Sequence, residues 1–502
     1  MQVVENGETY DLTYAKKAVI VVVLLPLLVM YTEAMLTPAL PTIQKEFAIN
    51  PPNDVSWILT IYLLVGTVSV ALFGKLGDMY GKKKMFLVAL GFYTLGVILN
   101  GFAPSFQWLL VTRAIQGFGM AIMPLAFALV REEFPPSMVP QVQGMISAMF
   151  AVGMVIALPL GAWVTQNWGG WRWTYHSAAP FAVLMFFLAW RILRESRYIN
   201  PPGKVDWVGG AVLLTVFVVP MLVAVTRAPN IGWTAKETLV LFAVGVIGAI
   251  LLVLWEMRAE NPLLPLGIIS SRNPPAIANL GIMLAAFGLS MMSQANTYLL
   301  QMPEPYGFGK TILQSGLLMT PPMALVMLIV APLAGKFMPK IGAKPIAIAG
   351  ALIGSGALAV MSLYATKMSL WQFVTTLVFV GVGINLMNIS LINVLTFSVP
   401  KRMMGIATGS NTLFRNFGST WGPAIAGTVM STYYVLFHPP GGAPAFVQIK
   451  IPTEKAYEVL FGGGASMVYL LLALLAFAIV EVMKRGKIRE VKEGGEEEVI
   501  VE

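Results

Sequence analysis

The sequence predicts an all-α protein that crosses a membrane many times. Hydrophobic residues make up 57% of the 502 residues and charged residues only 11%, which is about half the charged share of a typical soluble protein. Apolar runs of about 18 residues or more recur along the whole chain, whereas a membrane barrel would show short alternating strands. The mean hydropathy of +0.75 agrees with this fold class.

Fourteen apolar segments are candidates for transmembrane helices. The first follows a polar N-terminus that ends in Lys16 and Lys17, and it is too long to be the apolar region of a cleaved signal peptide. The predicted spans are 17–38, 56–74, 85–103, 107–129, 142–165, 175–193, 205–226, 236–256, 275–298, 313–334, 345–364, 370–396, 405–432 and 462–483.

The distribution of Lys and Arg predicts the orientation of these spans. If the N-terminus is cytoplasmic, the cytoplasmic segments hold 22 of the 33 Lys and Arg residues, the external segments hold 8, and three lie within spans. Cytoplasmic loops of membrane proteins carry such an excess of positive charge, so both termini are predicted to be cytoplasmic. Because topology explains the net charge of +9, we expect no nucleic-acid partner.

A short pattern appears twice and indicates an internal duplication, which is typical of secondary transporters. GKLGDMYGKKK begins at Gly74, after the second span, and GKFMPKIGAKP begins at Gly335, after the tenth, an offset of 261 residues. Six spans need about 60 residues fewer, so two further helices fit between the repeats. The predicted organisation is a cytoplasmic N-terminus at 1–16, a six-helix bundle at 17–194, a linker with two inserted helices at 195–272, a second six-helix bundle at 273–483 and a solvated cytoplasmic tail at 484–502.

Three motifs resemble those of a known family. GKLGDMYGKKK resembles the loop 2–3 signature of the major facilitator superfamily, and LLVTRAIQGFGMA, which contains Arg113 and Gln116, resembles its span 4 signature. GGWRWTYHSAAPF resembles the corner between spans 5 and 6 in the fourteen-helix drug:proton antiporters of that superfamily. The resemblance implies the major facilitator fold, with two six-helix bundles plus two inserted helices, and export of drugs in exchange for protons by alternating access.

The first motif places Gly74, Asp78, Gly81 and Lys82 at the cytoplasmic end of span 2. One interpretation is that the charges only set the topology and that the glycines form a tight turn. The alternative is a conformational latch, in which Asp78 pairs with a cation or a helix N-terminus in one state and releases it in the other. The family resemblance suggests the latch, and Arg131 at the cytoplasmic end of span 4 is the candidate partner.

Glu33 and Arg113 are the candidate proton-coupling residues. Glu33 is the only acid well inside a predicted span, and an arginine at the depth of Arg113 costs at least about 2.5–3.5 kcal/mol in a bilayer. We expect Glu33 to alternate between a proton and a cationic ligand, and the resemblance implies that Arg113 tunes its charge. The alternatives are a structural Glu33 fixed to a neighbour and a structural Arg113 bound to carbonyl groups.

Polar side chains in other spans are candidates for a substrate cavity, although hydrogen bonds between helices would also explain many of them. The candidate cavity residues are Tyr31, Thr37, Gln116, Gln294, Asn385, Asn388 and Arg415. In span 5, Gly153, Pro159 and Gly161 resemble the antiporter signature of the family. Close helix packing at small residues is the alternative interpretation of that helix.

The predicted function is proton-driven export of hydrophobic, cationic compounds through the plasma membrane. A transporter of a specific metabolite or lipid-like solute is the alternative, and a receptor without transport is a third class. We expect small-molecule substrates, protons and the lipid bilayer as partners, and a monomer. The absence of Cys and the presence of only two His argue against a metal site, and no motif suggests a cofactor or an enzyme.

Overall fold

The structure is a computed structural model that describes residues 2–5, 8–36, 39–48, 57–199, 206–207, 212, 214–259, 262, 275–304, 306–437, 449–477, 483–484, 487–491 and 497–501. Most of these residues are helical. The helices are α1 (Leu12–Ala34), α2 (Leu40–Glu46), α3 (Trp57–Tyr80), α4 (Lys82–Gly101), α5 (Phe106–Gly117), α6 (Ile122–Glu133), α7 (Val139–Asn167), α8 (Arg172–Ile192), α9 (Leu214–Ile231), α10 (Lys236–Glu256), α11 (Pro275–Gln301), α12 (Ile312–Ile341), α13 (Ala343–Tyr364), α14 (Leu370–Ser398), α15 (Met404–Thr432), α16 (Glu454–Glu458) and α17 (Met467–Phe477).

Short antiparallel strands accompany the helices. The pairs are β1 (Gln2–Glu5) with β2 (Glu8–Asp11) and β3 (Tyr434–Phe437) with β4 (Ile449–Pro452), and a three-stranded sheet contains β5 (Met483–Lys484), β6 (Lys487–Val491) and β7 (Glu497–Val501). The first hairpin lies within the predicted polar N-terminus, and its second strand ends at Asp11, directly before α1. Asp11 caps α1 by accepting hydrogen bonds from the backbone N–H groups of Thr13 (3.0 Å) and Tyr14 (3.2 Å), so α1 begins before the predicted first span.

Among the described residues, eleven helical segments are long and apolar enough to span a membrane, which agrees with a multi-pass membrane protein. The helices α8, α9 and α15 occupy predicted spans 6, 7 and 13 but are not in this set. α9 contributes only the shorter apolar segment Leu214–Pro229, and α15 carries Asn411, Arg415 and Asn416, which lower its hydropathy. The count of fourteen spans therefore stays a prediction.

The helices form two bundles. The N-terminal bundle contains α1 and α3–α8, the C-terminal bundle contains α11–α17, and the pair α9–α10 lies beside them. The bundles meet along two lines, which we call the α3–α15 seam and the α7–α12 seam. Glycines permit close backbone contact in both, since a Cβ atom would lie 2.3 Å from the Gly405 carbonyl oxygen at Gly74 and 2.3 Å from the Pro140 carbonyl oxygen at Gly335.

The bundles are closed against each other at one side of the protein. We call this side the β1–β2 face, because the first hairpin, the end of α3 and the start of α15 lie there. Hydrogen bonds that join the bundles extend from this face to mid-depth, where Asn416 Nδ2 donates to Thr67 Oγ1 at 3.1 Å. This structure therefore represents a state that is closed at the β1–β2 face.

Candidate functional site

Four helices of the N-terminal bundle line a cavity around the predicted coupling residues. Glu33 of α1, Tyr62 of α3 and Arg113 of α5 line a space of about 230 Å³ together with apolar side chains from α1, α3 and α7. Pockets for drug-sized ligands measure about 300–1,000 Å³. In this state the coupling cavity, as we call it, has room for ionisable groups and a small part of a ligand.

Arg113 is fully buried and is held by neighbours in its own bundle. Its Nε donates to the Ile58 carbonyl oxygen at 3.0 Å, its Nη1 donates to Gln116 Oε1 at 3.1 Å, and its guanidinium lies 4.8 Å from the centre of the Tyr62 ring. Its Nη2 has no hydrogen-bond partner among the described residues. Because no direct ion pair joins Arg113 to Glu33 in the part of the chain that the structure describes, the two charges interact across the cavity.

A polar network fixes the position of Arg113. Gln116 Oε1 also accepts a hydrogen bond from Asn100 Nδ2 at 2.7 Å, and Asn100 Oδ1 accepts one from the Thr112 hydroxyl at 2.6 Å. Gln116 Nε2 donates to Thr32 Oγ1 at 3.5 Å, next to Glu33 in α1. The predicted cavity residue Gln116 is thus fully buried, and it connects α4 and α5 to α1.

The C-terminal bundle adds a second positive charge. Arg415 of α15 interacts electrostatically with Glu33, as Arg113 does. One carboxylate therefore lies in the field of two guanidinium groups that belong to different bundles. Relative movement of the bundles must change this balance, because Coulomb interactions weaken with distance.

The other predicted cavity residues have varied surroundings. The Tyr31 and Ser177 hydroxyls share a hydrogen bond of 2.9 Å between α1 and α8, and Asn385 Nδ2 donates to the Gly381 carbonyl oxygen of its own helix at 2.7 Å. Both contacts are structural in character. The remaining residues are Gln294 and Asn388, which are half-buried, and Thr37, which lies outside the described residues.

The small residues of α7 pack against α1. A Cβ atom would lie 2.6 Å from the Leu27 carbonyl oxygen at Gly153 and 2.4 Å from the Met35 carbonyl oxygen at Gly161, so only glycine permits these approaches. Pro159, between them, is exposed. Close packing within the N-terminal bundle accounts for both glycines, and a role in antiport stays a prediction.

A second polar site lies at the β1–β2 face, where Asp78 bridges the bundles. Its carboxylate oxygens accept hydrogen bonds from the backbone N–H groups of Gly405 and Ile406, both at 2.9 Å. These groups belong to the first turn of α15, where the helix dipole favours a negative charge. Asp78 is fully buried, so these two bonds and its ion pair supply what water would otherwise provide.

The cationic partner of Asp78 is Lys82, which differs from the prediction of Arg131. Lys82 Nζ lies 2.8 Å from Asp78 Oδ1 and 2.5 Å from Glu132 Oε1, and all three side chains are buried. Lys82 follows Asp78 by four residues, and the turn at Gly81 (φ 107°) between α3 and α4 brings their side chains together. We call Asp78, Lys82, Glu132 and the α15 N-terminus at Gly405 the gate cluster.

Arg131 contributes to the same interface at another point. Its Nε donates to the Thr396 carbonyl oxygen at 3.2 Å, and its guanidinium lies 4.5 Å from the centre of the Phe397 ring. Both partners belong to α14 of the C-terminal bundle. Packing geometry, which a sequence pattern does not contain, directs Arg131 toward α14 and leaves the nearer Lys82 to neutralise Asp78.

A third contact between the bundles was not predicted and involves the first hairpin. Lys401, in the turn before α15, donates to Glu8 Oε2 at 2.6 Å and to the Tyr10 hydroxyl at 2.9 Å, and its ammonium lies 5.2 Å from the centre of the Tyr198 ring. Burial alone would raise the pKa of Glu8. The hydrogen bonds from Lys401 and Tyr198 outweigh this effect, so the pKa lies below its usual value. The only signal in the sequence was a carboxylate within a polar N-terminus, which is common in solvated tails.

Two helix bundles that close on one side around a buried carboxylate–lysine cluster, with an ionisable cavity beyond it, define a membrane transporter rather than an enzyme. The sequence model of the Major Facilitator Superfamily matches residues 22–423. The chain belongs to this superfamily.

Curated relatives agree with this assignment. Multidrug resistance protein Stp of Mycobacterium tuberculosis is 30% identical over 400 residues, which cover 79% of this chain and 72% of that protein. Multidrug transporter protein MdtP of Bacillus subtilis is 27% identical over 75% of this chain and 68% of its own length.

Solved structures share the fold. The human organic anion transporter MFSD10 matches 92% of this chain and 99% of its own at 16% identity, with a TM-score of 0.64. The proton:xylose symporter XylE matches 95% of this chain and 98% of its own at 15% identity, also with a TM-score of 0.64. At these identities the likeness shows the fold alone.

Proposed function

We propose that this protein is a proton-coupled multidrug antiporter of the fourteen-helix branch, which exports hydrophobic, cationic compounds by alternating access. The names of its curated relatives support multidrug transport. The observation that carries proton coupling is Glu33, a carboxylate that lines the coupling cavity and has no hydrogen-bond or ion-pair partner among the described residues. Such a carboxylate is available to a proton or to a ligand cation.

The proposed cycle uses both polar sites. In the present state the gate cluster holds the β1–β2 face closed, and Glu33 exchanges a proton or ligand with the opposite side. Opening requires that α15 leaves Asp78, which moves Arg415 relative to Glu33. One pH unit supplies about 1.4 kcal/mol per proton, which corresponds to about tenfold accumulation. Exchange of one proton for a monovalent cation moves no net charge, and 100 mV adds about 2.3 kcal/mol only for each net charge moved.

The proposal includes orientation and organisation. The β1–β2 face is cytoplasmic and both termini lie on that side, as the Lys and Arg distribution suggests, so the present state is open to the outside. The bundles correspond to residues 17–194 and 273–483, and the protein works as a monomer in the plasma membrane.

Reconstituted vesicles test this proposal. With an imposed pH gradient, wild type should move ethidium against its concentration gradient, and Glu33→Gln should lose this movement. Glu46→Gln is the control, because it makes the same substitution at a glutamate that is paired with Arg172 at 2.6 Å and lies outside the coupling cavity. Gradient-driven movement by Glu33→Gln at the wild-type rate would refute the role of Glu33, and movement that persists without a gradient would refute coupling.

A second candidate is favoured by the charges around Glu33. Two guanidinium groups act electrostatically on one carboxylate, so protonation of Glu33 leaves a net positive charge that suits an anionic metabolite or lipid-like solute. The same vesicles distinguish the two candidates. If the second candidate is right, an anionic compound is transported and ethidium does not move.

A further inference from the structure

The inserted helices cover one of the two seams between the bundles. Leu214, Val218 and Leu222 of α9 pack in one apolar cluster with Leu64 of α3 and Leu413 of α15. Each of these five side chains is at most 6% exposed. Because α3 belongs to one bundle and α15 to the other, a single helix covers the line where the bundles meet.

The internal repeat supplies a comparison with the α7–α12 seam. By the offset of 261 residues, Leu64 and Val68 of α3 correspond to Leu325 and Ile329 of α12. Leu64 is 5% exposed and Val68 packs against the apolar cluster, whereas Leu325 is 59% and Ile329 57% exposed. The same helix surface is therefore covered by α9 in the first repeat and open in the second.

The outer side of the inserted pair is apolar. α10 packs on α9 and exposes Val240, Ile247 and Ile250, each more than half accessible. A helix that is apolar on its outer side and packs through its inner side is typical of a lipid-facing membrane helix. The pair thus forms a wall between the bilayer and the α3–α15 seam.

The attachments of this wall to the two bundles differ at the side opposite the β1–β2 face. Toward the C-terminal bundle, Trp233 Nε1 donates to Thr428 Oγ1 at 2.6 Å, and the Trp233 ring packs 6.5 Å from the Trp421 ring. Toward the N-terminal bundle, the Arg227 guanidinium lies 5.4 Å from the centre of the Trp57 ring. At this side of the protein, a directed hydrogen bond with aromatic packing fixes geometry more firmly than one cation–π contact. On the opposite side, Lys75 Nζ of α3 donates to the Pro262 carbonyl oxygen, beyond α10, at 2.9 Å, so the N-terminal bundle holds that end of the connection.

We propose that α9 and α10 form a lateral seal over the α3–α15 seam that moves with the C-terminal bundle. Hydrophobic molecules dissolved in the bilayer then reach the space between the bundles through the α7–α12 seam alone. The route of the cargo rests on the proposed function, but the seal and its attachment do not.

The seal is tested without transport. The chain contains no Cys, so Leu64→Cys and Leu325→Cys each introduce one thiol at equivalent positions of the repeat. A maleimide that partitions into the bilayer should modify Leu64→Cys about tenfold more slowly than Leu325→Cys, as protection by a packed helix requires. Adding Val218→Ala and Leu222→Ala should raise only the rate at Leu64→Cys. Equal rates at the two thiols would overturn the seal.

The attachment is tested with two cysteine pairs. A reducible crosslink in Trp57→Cys/Arg227→Cys joins α9 to the N-terminal bundle and should stop ethidium movement until it is reduced, whereas one in Trp233→Cys/Thr428→Cys should leave the rate unchanged. The reverse pattern, or no effect of either crosslink, would overturn movement with the C-terminal bundle. If wild type moves no ethidium, the proposed function fails, and the labelling test still decides on the seal.

Discussion

Replacement of Asp78 by Asn should open the β1–β2 face without unfolding the protein. The amide keeps one acceptor oxygen but places an NH₂ group against the N–H of either Gly405 or Ile406, each of which now donates to a carboxylate oxygen at 2.9 Å. Lys82 keeps Glu132 as a partner at 2.5 Å, so the substitution does not leave a buried cation alone. The substitution therefore mainly weakens the hydrogen bonds between Asp78 and α15, which join the two bundles.

The size of the effect follows from these bonds. A hydrogen bond to a charged group contributes about 1.5–3 kcal/mol, and a buried N–H group without a partner costs about 1–3 kcal/mol. A net loss of about 3 kcal/mol from the closed state alone shifts the closed-to-open ratio about 100-fold. The closed state, if favoured about 100-fold in wild type, would then be populated about as much as the open state in Asp78→Asn.

Distances between spin labels measure this shift directly. Labels at Lys84→Cys, at the start of α4, and Arg402→Cys, before α15, lie on opposite bundles at the β1–β2 face. Asp78→Asn should add a longer distance to their distribution, whereas Glu46→Gln, remote from the gate cluster, should leave it unchanged. An unaltered distribution in Asp78→Asn would refute the reasoning, because the bonds to α15 would then not hold the face closed.

Two further perturbations act on the same face. Gly74→Ala places a Cβ atom 2.3 Å from the Gly405 carbonyl oxygen and should populate the longer label distance, whereas Gly356→Ala, with nothing within 4 Å, should not; equal distributions would contradict the steric argument. Glu8 has a pKa below its usual value of 4.5, so its bond to Lys401 stabilises the folded state above about pH 4.5 and this stabilisation is lost as the pH falls through the lowered pKa. The difference in melting temperature between wild type and Glu8→Gln should thus be constant near neutral pH and shrink in acid. A difference that grows in acid would contradict a lowered pKa of Glu8 in the folded state.

Features that depend on local sequence could be predicted. Long apolar runs identify membrane helices because the bilayer fixes their length, and the repeat at Gly74 and Gly335 indicates the two bundles. Glu33 and Arg113 attract attention because charges inside a membrane are costly, and both line one cavity in the structure. Asp78 is likewise a charge at a helix end whose chemistry suits a helix N-terminus.

Features that depend on packing between distant segments could not be predicted. Asp78 and Gly405 are 327 residues apart, and nothing in either segment specifies the other. Glu132 and Lys401 look like ordinary charges that flank membrane helices, yet one completes a buried triad and the other joins the hairpin to the C-terminal bundle. The inserted helices have few polar residues, so their position over a seam became apparent only from their neighbours.

The helix α15 connects the gate cluster with the electrostatic surroundings of Glu33. Its first turn donates to Asp78, and Arg415, about 14–15 Å further along the helix axis, acts on Glu33. A helix of this length moves nearly as a rigid body, so release of its N-terminus also displaces Arg415. In the proposed cycle, protonation of Glu33 removes its attraction to Arg415 and thereby weakens the closed state, and by linkage, opening changes the proton affinity of Glu33.

Reciprocal coupling through α15 predicts that the two sites are not independent. In the label-distance measurement, Glu33→Gln and Asp78→Asn should each shift the closed-to-open ratio, and their combined effect should differ from the sum of the two free-energy changes by about 0.5 kcal/mol or more. Glu46→Gln combined with Asp78→Asn should be additive, because Glu46 is paired with Arg172 instead of acting on α15. Strict additivity of the Glu33 and Asp78 variants would show that α15 does not transmit the charge of Glu33 to the gate.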